Sequence, residues 1–164
     1  MNNPDSALGS NEIQSFLSSQ FHDMGNFVVD LPFIVNSGYD PKQVFGSHRH
    51  SRIIFIENPN SDIGHFTLLT DMGDHFEWFD STGQYPPDEL IQFAAHNNKP
   101  LRGLQPHYRL QGPESFVCGK WCILRYLSLP TSMMDFCNIF HKNLKGISPD
   151  SVVDKLVQVK IKDE

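Results

Sequence analysis

A chain of 164 residues, 39% hydrophobic and 20% charged, has the make-up of one globular domain large enough for a real core. Its formal net charge of −6 argues against binding nucleic acid through the phosphate backbone, and no apolar run approaches the roughly 20 residues needed to cross a bilayer. Residues 1–6 have neither a basic start nor an apolar segment, so no signal peptide is visible. The three cysteines, Cys118, Cys122 and Cys137, are too few and too clustered for a disulfide framework, so a reducing setting inside a cell, not secretion, is expected.

Residues 1–9 are polar with Pro and Gly and are expected to be mobile. Ser10 can cap a helix to about Ser19 that turns Ile13, Phe16 and Leu17 to one side. The stretch 27–35 is apolar but broken by Pro32, which predicts an extended segment at a sheet edge; 36–41 follows as a turn. The basic run 48–52 reads as a solvated loop, with a grip on an acidic partner as the second reading. Residues 52–57 form a buried strand, and 58–62 a turn. The runs 65–70 and 75–80 make a hairpin whose turn uses Gly73. Pro86 and Pro87 followed by Asp88 and Glu89 open a helix to about His96, with Leu90, Phe93 and Ala94 inward.

One more strand is expected over 104–110. Gly112-Pro113 then breaks regular structure, and a helix runs from Cys118 to about Leu127. Ser132 and Asp135 start another by a capping-box pattern, with Met133, Phe136, Cys137, Phe140 and Leu144 as its stripe and Gly146 as its stop. Ser148-Pro149 starts a last helix with Val152, Val153 and Leu156 inward, and 159–164 is a charged tail. The sum is one α+β domain over 1–164: a small central sheet of about four strands, mixed or antiparallel, packed against a central helix that carries Cys118 at its N-terminus, with flanking helices.

Cys118 sits where loop becomes helix. The first turn leaves backbone N–H groups unpaired and carries the positive end of the helix dipole, so a thiol there ionises more easily than its free value of about 8.5. A lone cysteine is more often core, which is the reading for Cys122 and Cys137. Gln111, seven residues upstream, can add a side-chain amide to those N–H groups, the usual make-up of an oxyanion hole. The hairpin supplies the base. If its turn centres between Met72 and Gly73, paired residue numbers sum to 145 and His65 stands opposite Asp80. Directly opposed Cβ atoms lie about 4.5–5.5 Å apart, close enough for the carboxylate to orient the imidazole. Zinc is the competing use of these residue types, but no second pair of ligands joins Cys118 and Cys122 or His48 and His50 at structural-site spacing, so no metal is expected.

The order His65, Asp80, Gln111, Cys118 resembles the adenain-like viral cysteine proteases, which share a fold and mechanism with the SUMO- and ubiquitin-like-protein proteases. The resemblance is carried by Gln111-Gly112-Pro113 before Cys118-Gly119 and Cys122, by Gly64-His65-Phe66, and by Trp78-Phe79-Asp80-Ser81-Thr82-Gly83; it covers roughly residues 25–140. It implies a papain-like fold, Cys118 as nucleophile, His65 as base, Asp80 as its orienting acid, and Gln111 as an oxyanion donor beside the Cys118 N–H. It also implies glycine at the cleavage site in an aromatic slot, with Phe66 and Trp78 as its walls. The implied activity is thiol endopeptidase cleavage of viral or mobile-element precursors during particle maturation, in the virion and the host cell interior, nucleus or cytoplasm. A deconjugase for a ubiquitin-like modifier and a non-catalytic peptide-binding module are the alternatives. The adenovirus-type enzymes use DNA and a disulfide-linked peptide as cofactors. The acidic charge here, and the lack of any cysteine before Cys118, argue against both, so no cofactor is expected; an activating peptide without that tether stays among the expected partners.

Overall fold

The computed structural model describes residues 8–46, 49–57, 64–103, 110, 118–142 and 150. The expected mobile start up to residue 7, the turn at 58–62, most of the strand at 104–110, Gln111, Gly146, nearly all of the last helix and the charged tail lie outside the described residues.

Five strands form one sheet in the order β1 (Val28–Asp30), β2 (Ser51–Ile56), β3 (His65–Asp71), β4 (Phe76–Phe79), β5 (Leu101–Gly103). The outer pairs are parallel and the inner pairs antiparallel, so the sheet is mixed. The fifth strand was not expected at 101–103; it is three residues long and lies at an edge, too short to show an alternating pattern.

The central strands bury both faces, as the apolar runs require. On one face Ile53, Leu68 and Phe79 pack with Ile13, Phe16 and Leu17 of α1 (Ser10–Phe21), with Trp121 and Ile123 of α5 (Cys118–Ser128), and with Phe136 of α6 (Met133–Lys142). On the other, Ile54, Leu69, Phe76 and Trp78 meet Ile34 of α2 (Leu31–Asn36), Val44 and Phe45 of α3 (Pro41–Phe45), and Leu90 and Phe93 of α4 (Asp88–His96). Neighbouring residues on one strand fall into different clusters because side chains alternate across a sheet.

The segment 27–35 is only partly extended. Val28–Asp30 pairs with β2 at the edge, and the chain then turns at once into α2. Pro32 sits in the first turn, where its missing N–H costs nothing, and the Asp30 carboxylate accepts from the Phe33 N–H at 3.0 Å. Asp40 and Pro41, at the end of the expected turn, repeat the device to start α3. The Ser132 cap of α6 stands as expected, its Oγ accepting from the Asp135 N–H at 3.1 Å.

Candidate active site

The hairpin closes two residues off the expected register. Leu68 pairs with Phe79 and Leu69 with Trp78, so paired numbers sum to 147, and the Met72 N–H donates to the His75 carbonyl at 2.9 Å. The tight loop is therefore Gly73-Asp74, with Gly73 at φ +96, a backbone conformation open to glycine. His65 and Asp80 are diagonal rather than directly opposed. A slip of two residues keeps both side chains on the same face, where a slip of one would have separated them.

The pair meets. His65 Nε2 lies 3.0 Å from Asp80 Oδ1, with His65 a quarter exposed and Asp80 buried. The contact is one of charge rather than an aligned hydrogen bond, because the ring N–H does not point along it. Asp80 is itself held. Its Oδ1 accepts from the Thr82 N–H at 2.9 Å and from the Thr82 hydroxyl at 2.6 Å, and its carbonyl accepts from the Gly83 N–H at 2.9 Å. This Asx turn fixes the carboxylate at the end of β4. Asp-x-Thr-Gly after a strand is its sequence signal, and through this turn Thr82 joins the site.

Cys118 is the first residue of α5 and is buried at 6% exposure. The Phe66 N–H donates to Cys118 Sγ at 3.5 Å, so the residue after His65 ties the sulfur to β3. Two glycines allow the approach. A Cβ on Gly119 would stand 2.9 Å from Ile13 Cδ1, so α1 packs directly on the first turn of α5. A Cβ on Gly64 would run into the Phe55 ring, which packs on Phe66 at 5.2 Å between centroids.

The electrostatics favour a charged imidazole. Burial works to lower the pKa of His65, but its contacts with Asp80 and Cys118 outweigh that and push it up to about 10. Burial, with Cys118 and Asp80 nearby, raises Cys122 well above the thiol range, and burial raises Cys137 to about 11. Both are core residues, buried with Trp121 and Phe136 as expected.

His65, Asp80 and Cys118 thus come together from three elements. Phe66 and Trp78 do not stand as slot walls. Phe66 is 4% exposed, its ring inside the cluster behind Cys118, and what it brings to the site is its amide. Trp78 is 1% exposed in the cluster on the opposite face, because alternation along β4 turns it away from α5. Among the described residues no three His, Cys, Asp or Glu side chains are grouped to hold a metal, and no helix is long and apolar enough to cross a membrane.

No family model and no curated protein matches this chain in sequence. Solved structures do match it in fold. The pS273R protease of ASFV superposes with a TM-score of 0.54 at 13% identity, over 93% of this chain and 67% of that one. ChlaDub1 of Chlamydia trachomatis gives 0.53 at 12% identity, over 96% and 92%. The C-terminal Ulp1 protease domain, solved in complex with Smt3, the yeast ortholog of SUMO, gives 0.52 at 13% identity, over 96% and 77%. The mixed five-stranded sheet with its helices is the fold of these Ulp1-like proteases.

Proposed function

We propose that the chain is a cysteine protease that cleaves amides through an acyl-enzyme. The observation that carries this reading is His65 placed against both Asp80 and Cys118, with the Phe66 amide on the sulfur. The imidazolium and the Phe66 N–H stabilise negative charge on Sγ. The sulfur attacks the scissile carbonyl, and the C–N bond breaks as His65 gives its proton to the leaving amine. His65, now neutral, takes a proton from water, which attacks the thioester and frees Cys118. The Cys118 N–H at the helix start, together with Gln111, is the proposed oxyanion donor set.

In its finer form the proposal is an adenain-like endopeptidase acting on viral or mobile-element precursors at glycine-containing sites, in the virion and host cell. The fold likeness to Ulp1, solved with Smt3, supports a second reading as a deconjugase for a ubiquitin-like modifier. Release of a folded modifier from its conjugate would favour that reading; cutting of short peptides at internal glycine would favour the first. A non-catalytic binding module fits less well, because mere binding does not need His65 set against both Asp80 and Cys118.

The direct test is the rate of Cys118 alkylation against pH, followed by intact-protein mass spectrometry. Fast modification near neutral pH is expected, slowed at least tenfold by His65→Ala and unchanged by Cys122→Ser. A Cys118 no faster than a free thiol, with or without candidate peptides, removes the protease reading. Thr82 gives a subtler result. Thr82→Val keeps the backbone N–H on Asp80 but removes the hydroxyl, and kcat is expected to fall roughly tenfold with KM little changed, while Thr82→Ser restores it. Equal losses in both variants would mean that the hydroxyl is not what holds Asp80.

A further inference from the structure

The outer edge of β1 carries backbone groups that the sheet does not use. The Ile53 N–H donates to the Phe27 carbonyl at 2.9 Å and Val28 stands opposite Ile53, so the bonds to β2 come from Phe27 and Val29. The N–H and carbonyl of Val28 and the N–H of Asp30 therefore face away from β2. Gln14 of α1 closes only the start of this edge: its Oε1 accepts from the Phe27 N–H at 2.6 Å, and its Nε2 donates to the Gly25 carbonyl at 2.7 Å.

A groove of about 400 Å³ lies along the open part, between Asn11 and Gln14 of α1 and Phe33 of α2. Val28 and Val29 both line it. Their side chains point to opposite faces of the sheet, so the groove borders the edge itself. Phe33, 40% exposed, and the half-buried Phe55 give it aromatic walls. Among the described residues Asp30 is the one charged group in the lining, and its carboxylate already caps α2. The groove leads to the candidate active site. Asp30, Phe55 and Phe66 stand in one row across β1, β2 and β3, and the Phe66 N–H is the donor to Cys118 Sγ.

We propose that this edge takes an extended, uncharged peptide segment as a further strand, paired to Val28 and Asp30 with an apolar side chain against Phe33 and Phe55. Strand addition draws its affinity from main-chain hydrogen bonds, and the flanking walls choose the side chains. On the protease reading, on which this step rests, the segment belongs to the substrate itself. Adjacent strands lie about 4.8 Å apart, so a strand outside β1 runs about 14 Å from β3. About four extended residues then separate the paired segment from the scissile bond.

The probe is a labelled peptide with two runs of alternating valine and threonine, each of roughly six residues, joined by about eight glycines; the control is the glycine stretch alone. Fluorescence anisotropy with the full Cys118→Ala chain is expected to show the long peptide bound at least tenfold tighter than the control. Adding Val28→Pro, which removes an N–H that β2 does not use, or Phe33→Ala should weaken that binding at least fivefold. Methylating the backbone nitrogens of one alternate set of peptide residues should abolish binding, and methylating the other set should not, because only one set faces β1. With the wild-type chain, kcat/KM should be at least tenfold higher for the long peptide than for the control, and Val28→Pro should erase that advantage. Tight binding without cleavage would count against the protease reading and leave the strand site standing. A long peptide that binds no better than the glycines, or that responds equally to methylation of either set, overturns the proposal. If Val28→Pro does not fold, the methylated peptides and Phe33→Ala decide it.

Discussion

Cys118→Ala is expected to lower kcat for a cleaved peptide roughly a million-fold, and Asp80→Asn roughly a thousandfold, with both proteins still folded by circular dichroism. Alanine removes the only atom that forms the acyl bond. Asparagine keeps the shape of Asp80 but removes the charge that faces Nε2 at 3.0 Å and helps to raise the imidazole pKa. The pH profile should show the same cause. The reaction needs the imidazolium to protonate the leaving amine, so hydrolysis should fall as pH rises through about 10 in the wild type. In Asp80→Asn that alkaline limb should move toward neutrality. Stability follows the same sign: the folded pKa lies above the ordinary 6.5, so the contribution of His65 is complete below that value and is lost as pH rises through about 10. Steady-state kinetics of an Asp80→Asn variant within tenfold of wild type, with an unmoved alkaline limb, would exclude Asp80 as the orienting acid.

The meeting of His65 with Asp80 was legible because sheets have a period of two. The hairpin could be read from two apolar runs around Gly73, but the turn was placed one step too early, since the sequence does not say which residues flank the loop. The closing bond, Met72 to His75, puts Gly73 first in the loop, where its positive φ is needed. That error moved every pair by two, and a shift of two keeps faces, so His65 and Asp80 still met. The same alternation misled the reading of Trp78. Its place beside Phe79-Asp80 suggested a slot wall, yet its neighbour Phe79 faces α5 and Trp78 therefore faces α4. Pro32 was read as a strand breaker when it opens a helix, because Asp30 two residues earlier caps it. The role of Arg125 was not legible at all. Its partner, Glu77, lies 48 residues away, and no local pattern links them.

That pair sets the largest expected effect on stability. Arg125 is wholly buried in α5 and Glu77 is buried in β4. They form a two-pronged ion pair, Nη2 to Oε1 at 2.6 Å and Nε to Oε2 at 3.2 Å, while Nη1 donates to the Thr131 carbonyl at 2.7 Å and to Ser128 Oγ at 3.2 Å. Glu77→Ala leaves a buried guanidinium without its counter-charge, and a loss of about 3–5 kcal/mol is expected, a fall in Tm of roughly 10 °C. Glu77→Leu with Arg125→Met together should cost less than either single change, because both charges are replaced by apolar side chains and no desolvated charge is left. Recovery will stop short of wild type, since the Thr131 carbonyl then loses its donor, a loss of about 1–3 kcal/mol if no water replaces it. Denaturant unfolding of the two singles and the double measures this, and a double variant as unstable as the sum of the singles would show that the pair is not coupled. The pair also fixes geometry. It ties α5, two turns beyond Cys118, to β4, three residues before Asp80, so Cys118 and Asp80, the proposed nucleophile and orienting acid, are held to one buried link. Its rupture should therefore lower kcat even in the fraction of molecules that remains folded.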